Sequence, residues 1–506
     1  MLLFLLAVTT QYGAAQPKPL YGEAAPVISC DELKGARPVI AGAEVRVESA
    51  VREEASCSVT AVVMHPPAGD RIQVFVRLPL KNWNGRFQGN GGGGFTGGGP
   101  QSLNGPAAAG YATASTDAGH AGGSGAFALD AEGRLNWRAI RNFGHVGIHE
   151  MTMVGKALAE QFYGKAPRYA YFNGCSTGGR QGLMEVQRYP ADYDGVFSGA
   201  PAINWEKLHV AQMWGQLVMK EANHYPAPCK FAAANAAAIA ACDRADGIAD
   251  GVIDEPLRCR FDVKSLIGTK PEGCETFSAA DAPVVAAIWE GPRRVDGGFL
   301  WYGLPMGADF GGLNATNASA PSGRPMGITL DWWKFFLAQN PRFDWTTLTR
   351  GAFEQFFDQS VEQFHDVIGT GNADLSGFRA RRGKAILWHG WADPLIPAQG
   401  TIDYYRRVSE RMGANTAEFL RFFLAPGVAH CGGGAGAAPL GQFEALRAWV
   451  EEGVAPTMLR AIRLEGGRQG GKPIRAHSLC QYPQVAKYKG SGAMEDDANF
   501  SCVVPR

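Results

Sequence analysis

The sequence has no excess of charge of either sign, because 48 Lys and Arg residues balance 48 Asp and Glu residues. A chain without net charge creates no field that steers it to nucleic acid, an anionic membrane or a polyacid. Beyond the amino terminus it also lacks an apolar run long enough to cross a bilayer. We therefore expect no nucleic-acid or membrane partner, and a small substrate of little charge.

The amino terminus lacks the basic residues that usually precede the apolar core of a secretory signal, although the core itself is present. Residues 2–8 are apolar, and the small residues 13–15 resemble a cleavage site. The alternative is a buried first strand. Ten cysteines, an even number, agree with an oxidising compartment. Residues 1–15 are therefore predicted to be a signal peptide, and the protein to be secreted or periplasmic.

The pattern of apolar residues divides the chain into three parts. Apolar residues alternate in 57–63 and 72–78, which predicts an antiparallel hairpin, and short apolar runs then alternate with helical stretches, which predicts a parallel sheet. This rhythm breaks down between about 205 and 378, which holds seven of the twelve tryptophans, and strand patterns resume at 384–388 and 418–424. We interpret 16–204 and 379–506 as one α/β domain and 205–378 as an inserted lid domain.

A Gly-x-Ser-x-Gly motif at Gly174–Gly178 follows the apolar run 169–172 and precedes a predicted helix that begins near Gly179. This strand-turn-helix context is typical of a nucleophile elbow, in which a sharp turn exposes the serine. The alternative is a glycine-rich turn without chemistry. We predict that Ser176 is a nucleophile.

A serine nucleophile needs a histidine base and a carboxylate that orients the histidine. Asp393 follows the predicted strand that ends at Trp388, and His430 follows the one that ends at Leu424. The order Ser, Asp, His is that of the α/β hydrolases. Alternatively, Asp393 only begins a turn before a proline and His430 is a surface residue. Together the three residues predict an α/β-hydrolase fold with a large inserted lid domain.

The oxyanion of acyl transfer needs backbone N–H donors. Thr177, directly after the nucleophile, is expected to supply one. The glycine-rich segment 89–95 resembles the oxyanion loop of esterases, and we expect Gly92 or Gly93 to supply the other. The rival interpretation is a phosphate-binding loop, but no Gly-Lys-Ser/Thr ending follows, which excludes a Walker loop.

Long motifs make the chain closely resemble the tannase and feruloyl esterase family, which also includes the hydrolase of mono(2-hydroxyethyl) terephthalate. These motifs are residues 171–182, 116–120, 149–152, 188–190, 389–394 and 430–432. The resemblance implies a calcium-bearing lid and a small-molecule substrate that is an ester of an aromatic or phenolic acid. It also implies that His389 lines the substrate pocket, whereas the residue alone fits a structural role at a strand end equally well.

Residues 242–254 crowd carboxylates between glycines, a composition that suits calcium. The spacing is not that of an EF-hand, and a solvated acidic turn is the alternative. The family resemblance favours a Ca²⁺ site, and implies side-chain ligands at Asp243, Asp246 and Asp250 and backbone carbonyl ligands at Ile248 and Val252.

Five disulfides are expected. Cys175 precedes the proposed nucleophile and Cys431 follows the proposed base, so a working pair brings these cysteines within bonding range. Cys242 and Cys259 bracket the acidic loop. The resemblance implies Cys480 with Cys502 and Cys30 with Cys57, and elimination leaves Cys229 with Cys274, although connectivity does not follow from sequence.

The predicted function is hydrolysis of an aromatic-acid ester through an acyl-enzyme. Four lid aromatics are candidates for a ring-stacking pocket, or alternatively for lid core: Trp301, Tyr302, Trp332 and Trp333. One alternative function is hydrolysis of mono(2-hydroxyethyl) terephthalate or another small ester, against which Thr177 argues mildly. A more remote alternative is an inactive binding module on the same fold.

Overall fold

The structure is a computed structural model that describes residues 17–22, 24–317, 321–465, 472–493 and 496–505. The predicted signal peptide lies outside the described residues. The strands are β1 Glu44–Arg52, β2 Ser56–Met64, β3 Ile72–Pro79, β4 Arg86–Asn90, β5 Ala112–Thr116, β6 Tyr169–Cys175, β7 Gly195–Gly199, β8 Lys384–Gly390, β9 Leu420–Ala425, β10 Ala438–Pro439, β11 Met458–Leu464, β12 Pro473–Cys480, β13 Val485–Tyr488 and β14 Phe500–Val503. The helices are α1 Asn104–Ala108, α2 Trp137–Arg141, α3 Gly147–Tyr163, α4 Thr177–Arg188, α5 Trp205–Ala211, α6 Trp214–Glu221, α7 Pro228–Cys242, α8 Asp281–Glu290, α9 Gly327–Asp331, α10 Arg350–Phe364, α11 Ser376–Ala380, α12 Ala398–Met412 and α13 Gln442–Glu452.

A nine-stranded sheet in the order β1-β2-β3-β5-β4-β6-β7-β8-β9 organises the molecule. The pairs β1-β2, β2-β3 and β3-β5 are antiparallel. The pairs β5-β4, β4-β6, β6-β7, β7-β8 and β8-β9 are parallel. Because parallel strands end at one edge, the loops after β4, β6, β8 and β9 meet there. With helices against the sheet, this arrangement confirms the predicted α/β-hydrolase fold.

The predicted hairpin is formed by β2 and β3, which pair antiparallel with Cys57 opposite Leu78. Buried and partly exposed residues alternate along most of β3, as expected for a half-exposed strand, but β2 is buried over most of its length. Of the two strands of the predicted hairpin, β3 is thus the one that keeps the alternation of a half-exposed strand.

Between β7 and β8 the chain leaves the sheet and forms α5 to α11. Over the described part of this insertion, which omits 318–320, no strand is formed. Its helices share an apolar core that also includes Phe95, Phe143 and Ile396 from outside the insertion. No helix in the described ranges has both the length and the apolar character needed to cross a bilayer.

The ten cysteines form five disulfides with Cα–Cα distances of 5.5–6.0 Å. The pairs are the expected ones: Cys30–Cys57, Cys175–Cys431, Cys229–Cys274, Cys242–Cys259 and Cys480–Cys502. Cys175–Cys431 has the largest sequence separation, 256 residues, and joins the last residue of β6 to the loop after β9.

Candidate active site

Ser176 lies in the turn between β6 and α4 with φ 62° and ψ −123°. A positive φ is unfavourable for a residue with a side chain, so surrounding contacts must hold it. The Ser176 amide donates to the carbonyl of Gly199 at 3.0 Å, and its own carbonyl accepts from the amides of Arg180 and Ala202 at 3.0 and 3.1 Å. The turn is therefore fixed from both sides, as expected for a nucleophile elbow.

Glycines let the strand and the helix of this turn approach each other closely. A Cβ on Gly174 would lie 2.4 Å from backbone atoms of Gly178, and a Cβ on Gly91 would lie 2.4 Å from the Gly178 Cα. Only glycine fits at Gly174 and Gly91, because the clashing atoms belong to the backbone and cannot move aside.

The structure brings Asp393 and His430 together. The Nδ1–H of His430 donates to Oδ2 of Asp393 at 2.7 Å, and Asp393 Oδ1 accepts the amides of Leu395 and Ile396 at 2.9 and 3.0 Å. The Asp393 side chain is fully buried. Burial alone would raise its pKa, but hydrogen bonds from His389 and His430 hold the pKa below its ordinary value. An ionised Asp393 keeps the proton of His430 on Nδ1 and leaves Nε2 free to act as a base.

The proposed nucleophile and base have covalently joined neighbours. Cys175 and Cys431, bonded with Cα atoms 6.0 Å apart, lie next to Ser176 and His430 respectively. The disulfide therefore holds the loop after β9 against the nucleophile elbow.

The two glycines considered for the oxyanion hole differ in the structure. The Gly92 amide donates to Oε1 of Gln181 at 2.9 Å, so its N–H is already engaged. An added Cβ on Gly93 would meet no atom within 4 Å, so Gly93 borders open space. The Thr177 hydroxyl donates to the carbonyl of Gly94 at 2.7 Å and ties the glycine-rich loop to the elbow. Of the two alternatives, Gly92 has its amide engaged, which leaves Gly93 as the candidate.

The side chain of His389 is fully buried. Its Nδ1 lies 2.9 Å from the Thr401 hydroxyl, and its Nε2 lies 2.9 Å from the Ile396 carbonyl and 3.2 Å from Asp393 Oδ2. Both neighbours of Nε2 are acceptors, so Nε2 carries the proton. His389 therefore supports the carboxylate of Asp393, which is the structural role that the sequence left open, and its place in the substrate pocket stays a prediction.

Three of the four lid aromatics that were candidates for a ring-stacking pocket lie in the core of the insertion. Trp332 and Trp333 are fully buried and Trp301 is 5% exposed, whereas Tyr302 is half-buried. Trp332 stacks on Phe336 with ring centroids 4.3 Å apart. For these three tryptophans the alternative of lid core applies.

The acidic loop after α7 folds around the carboxylate of Asp243. Asp243 Oδ1 accepts the amides of Asp250, Gly251 and Val252 at 3.0, 3.1 and 3.3 Å. Burial, followed by the charges of neighbouring aspartates, raises the pKa values of Asp246 and Asp250. A cation among these carboxylates would relieve that repulsion, so the donor set fits a hard dication chemically.

Two further observations bear on this loop. Asp254, which the sequence did not single out, is 8% exposed, and burial followed by the charges of Asp246 and Asp250 raises its pKa well above the ordinary value. The predicted side-chain ligands do not form a group of three within 4.8 Å of one another. Among the described residues, three potential metal ligands do lie this close together elsewhere: His149 on α3, Glu185 near the carboxyl end of α4, and Asp192 in the loop after α4.

The family model "Tannase and feruloyl esterase" matches residues 57–503. A "Probable feruloyl esterase" of Arthroderma benhamiae is 41% identical over 460 residues, which are 88% of this chain and 85% of that protein. The "Mono(2-hydroxyethyl) terephthalate hydrolase" of Piscinibacter sakaiensis is 31% identical over 561 residues, 96% of this chain and 90% of that protein.

Solved structures show the same similarity. The "Tannin acyl hydrolase from Aspergillus niger" superposes with a TM-score of 0.82 at 26% identity and covers 94% of each chain. The "feruloyl esterase B from Aspergillus oryzae" superposes with a TM-score of 0.79 at 28% identity, covering 92% of this chain and 97% of that chain. The similarity therefore includes both the sheet and the insertion.

Proposed function

Because the chain belongs to the tannase and feruloyl esterase family, and is thus a carboxylic ester hydrolase, we propose that it cleaves esters of aromatic or phenolic acids through an acyl-enzyme on Ser176. One observation carries this proposal. His430, 2.7 Å from the buried carboxylate of Asp393, is joined through Cys431 to Cys175, the residue that precedes Ser176.

In this mechanism Ser176 Oγ attacks the ester carbonyl carbon while Nε2 of His430 takes the hydroxyl proton. The imidazolium that forms is stabilised by the ionised Asp393. His430 then gives the proton to the leaving alkoxide, and the alcohol departs. Water, deprotonated by His430, then attacks the acyl-enzyme. The bond between the acyl carbon and Ser176 Oγ breaks, His430 returns the proton to Oγ, and the aromatic acid leaves.

The tetrahedral intermediate carries a negative charge on the former carbonyl oxygen. We assign the donors to the amide of Thr177, at the first position of α4, and the amide of Gly93. The hydrogen bond between the Thr177 hydroxyl and Gly94 supports this assignment, because it holds the two amide-bearing segments together. Fixed donors of this kind contribute about 3–4 kcal/mol each to lowering the barrier.

Residues 205–378 are proposed to form a lid over the site. Support comes from contacts of the insertion with the glycine-rich loop after β4 and with the loop after β8 that carries Asp393. A Cβ on Gly94 would lie 2.9 Å from Ile328, the ring of Phe336 stacks on Phe95 at 5.5 Å, and a Cβ on Gly312 would lie 2.7 Å from Leu395. A lid in this position sets the shape of the pocket and excludes water from the acyl-enzyme.

The substrate class is tested by comparing initial rates on methyl ferulate, methyl gallate and mono(2-hydroxyethyl) terephthalate under identical conditions. We expect the highest kcat/KM for one of the two phenolic esters. The second candidate function, terephthalate monoester hydrolysis, is favoured by the similarity to the Piscinibacter enzyme. If none of the three esters is cleaved but a simple short-chain ester is, the aromatic-acid proposal is wrong.

For the acidic loop we propose one Ca²⁺ ion bound by the side chains of Asp243, Asp246 and Asp250 and the carbonyls of Ile248 and Val252. When bound, the ion supplies charge compensation and orders the loop. The disulfide Cys242–Cys259 closes the loop at its two ends. The carboxylate of Asp243 accepts three backbone amides of the loop, and a bound ion would reinforce this arrangement.

We further propose that the protein is exported to an oxidising compartment, outside the cell or in a periplasm. Five disulfides support this proposal, because such bonds persist where thiols are not kept reduced. The location is tested by fractionating producing cells and assaying ester hydrolysis in each fraction.

A further inference from the structure

A group of potential metal ligands lies around the carboxyl end of α4, away from the proposed catalytic residues. It consists of His149 on α3, Glu185 on α4 and Asp192 in the loop after α4, and one ligand atom of each lies within 4.8 Å of the other two. Nδ1 of His149 is 2.6 Å from Oδ2 of Asp192. Glu185 follows Ser176 by nine residues, about 14 Å along the helix, so this group cannot touch the ester.

Glu185 has no visible partner for its charge. The residue is 1% exposed, and neither carboxylate oxygen has a hydrogen-bond partner in the part of the chain that the structure describes. An ionised carboxylate buried in this way is strongly unfavourable unless a cation or a proton compensates its charge. Burial, followed by the charge of Asp192, raises the pKa of Glu185 well above its ordinary value. Without an ion, a proton on Glu185 is what joins it to Asp192 by a hydrogen bond. A cation bound between the two carboxylates would take the place of that proton.

The nearby lysine compensates only part of the negative charge. The ammonium of Lys156 donates to the backbone carbonyl of Asp192. Its positive charge lowers the pKa of Glu185, but burial and the charge of Asp192 raise that pKa by more. One ammonium faces two carboxylates, so one negative charge remains when both are ionised. A dication bound by the three side chains would neutralise the remaining negative charge and would give the carboxylate oxygens of Glu185 a partner.

We propose that His149, Glu185 and Asp192 bind one divalent transition-metal ion of the zinc class. One imidazole nitrogen with two carboxylates is a donor set for such an ion, whereas calcium prefers oxygen alone. The side chains of His149 and Asp192 are 26% and 12% exposed, so the ion and a water ligand can reach the site. The ring of Tyr189 stacks on His149 with centroids 3.9 Å apart and fixes the imidazole plane.

Binding requires a small local rearrangement. Two ligands at tetrahedral positions on zinc lie roughly 3.3 Å apart, so the contact between His149 and Asp192 lengthens by somewhat less than 1 Å. The ion then joins α3, α4 and the loop after α4. Its consequence is structural: it stabilises the helix that carries the nucleophile elbow.

The test is calorimetric titration of Zn²⁺ into the full-length, chelator-treated protein, with Ca²⁺ at saturating concentration so that the acidic loop is blocked. We expect one Zn²⁺ per chain for the wild type. Glu185→Gln and His149→Gln each should weaken the affinity at least about 100-fold, since a lost direct ligand costs no less than a lost supporting contact. Zn²⁺ should raise the melting temperature of the wild type and of neither variant.

The matched control is His224→Gln, because His224 is 30% exposed and also contacts a buried carboxylate, that of Asp281. This variant should bind Zn²⁺ as the wild type does. Glu185→Gln keeps the side-chain shape and removes a buried charge, and circular dichroism checks its fold; if it misfolds, His149→Gln decides alone. A wild type that does not bind Zn²⁺, or equal affinities in the wild type and the ligand variants, overturns the proposal.

Discussion

At the residue scale, the buried carboxylate of Asp393 is the group on which the orientation of the base depends. It receives hydrogen bonds from two side chains, His430 and His389, and from two backbone amides. No rotation of the carboxylate is possible without breaking several of them. The orientation of His430 is therefore set by a fixed acceptor rather than by the packing of its own loop.

Asp393→Asn should lower kcat about 10⁴-fold on the best ester, with KM little changed, because an amide at this position favours the wrong tautomer of His430. Steady-state kinetics measure the loss. The control is Asp374→Asn, which removes an exposed ion pair with Arg411 and should leave kcat unaltered. A loss in Asp393→Asn of less than tenfold speaks against its assigned role.

We expect His209, on α5 in the insertion, to make stability depend on pH. Its pKa is lowered to about 3, mainly because it is buried, while a hydrogen bond with Gln212 opposes this shift. Between that value and the ordinary value of 6.5, the unfolded chain binds a proton that the folded chain does not. Stability from this group is therefore complete above about pH 6.5 and decreases as the pH falls.

His209→Gln removes this dependence but also loses packing against Trp205, so the variant should be less stable at pH 7.5. On lowering the pH to 5, the difference from the wild type should shrink by up to roughly 2 kcal/mol, the effect of one proton over this range. Urea unfolding at both pH values measures it. Parallel pH profiles in the two proteins contradict the account.

The sequence identified the residues of the proposed triad because each follows a recognisable strand. It did not reveal that His389 is buried, since that burial depends on Thr401 and Ile396, which fold back over it. It also left Gly92 and Gly93 equivalent. The side chain of Gln181, 89 residues away from Gly92, distinguishes them, and local sequence contains no sign of that contact.

At the element scale, the strands with clear apolar patterns were predicted well. β2, β3, β8 and β9 lie where alternation or apolar runs placed them, within two residues at the ends. Helix α4 begins at Thr177, two residues before the expected start, because helical geometry begins directly after the positive φ of Ser176. The position of β4 between β5 and β6 was not predictable, since strand order depends on long-range pairing.

Gly174→Ala should abolish ester hydrolysis and lower stability, because the new Cβ lies 2.4 Å from the first turn of α4. We expect a cost of about 1–3 kcal/mol from overpacking, together with displacement of Ser176. The control is Gly351→Ala in α10, where a Cβ meets nothing within 4 Å. That variant should gain about 0.5–1 kcal/mol and keep full activity.

Thermal unfolding and initial rates measure both glycine variants. If Gly174→Ala retains wild-type activity, the close approach of β6 and α4 is not needed to position the serine. If Gly351→Ala is as damaging as Gly174→Ala, alanine itself rather than the clash explains the loss.

At the scale of the whole molecule, the insertion between β7 and β8 packs on the loops that carry the proposed site. The loss of strand-helix alternation in the sequence predicted an inserted segment at 205–378, and the described residues between β7 and β8 form helices and no strand. It did not show that three of the tryptophans serve as core, because aromatic residues suit a core and a binding pocket equally well. The disulfides then fix the long-range arrangement, above all Cys175–Cys431.

Removing calcium tests the acidic loop at this scale. A chelator should lower the melting temperature by about 2–5 °C, since an ion at 100-fold excess over Kd stabilises the folded state by about 2.7 kcal/mol. The kcat of the protein that remains folded should change little, because the ion does not contact the ester. Asp250→Asn should remove most of the chelator effect. If the purified protein contains no calcium and added Ca²⁺ shifts nothing, the assigned ligands are wrong.

The central claim is that Ser176 is the nucleophile, and Ser176→Ala tests it most directly. Ser198→Ala, on the neighbouring strand β7, is the control, because its buried hydroxyl has no hydrogen-bond partner among the described residues. We predict that a fluorophosphonate labels the wild type and Ser198→Ala, that it does not label Ser176→Ala, and that kcat of Ser176→Ala falls by about six decades with an unchanged fold. Near-normal hydrolysis by Ser176→Ala, or a wild type that is neither labelled nor active, would contradict the account.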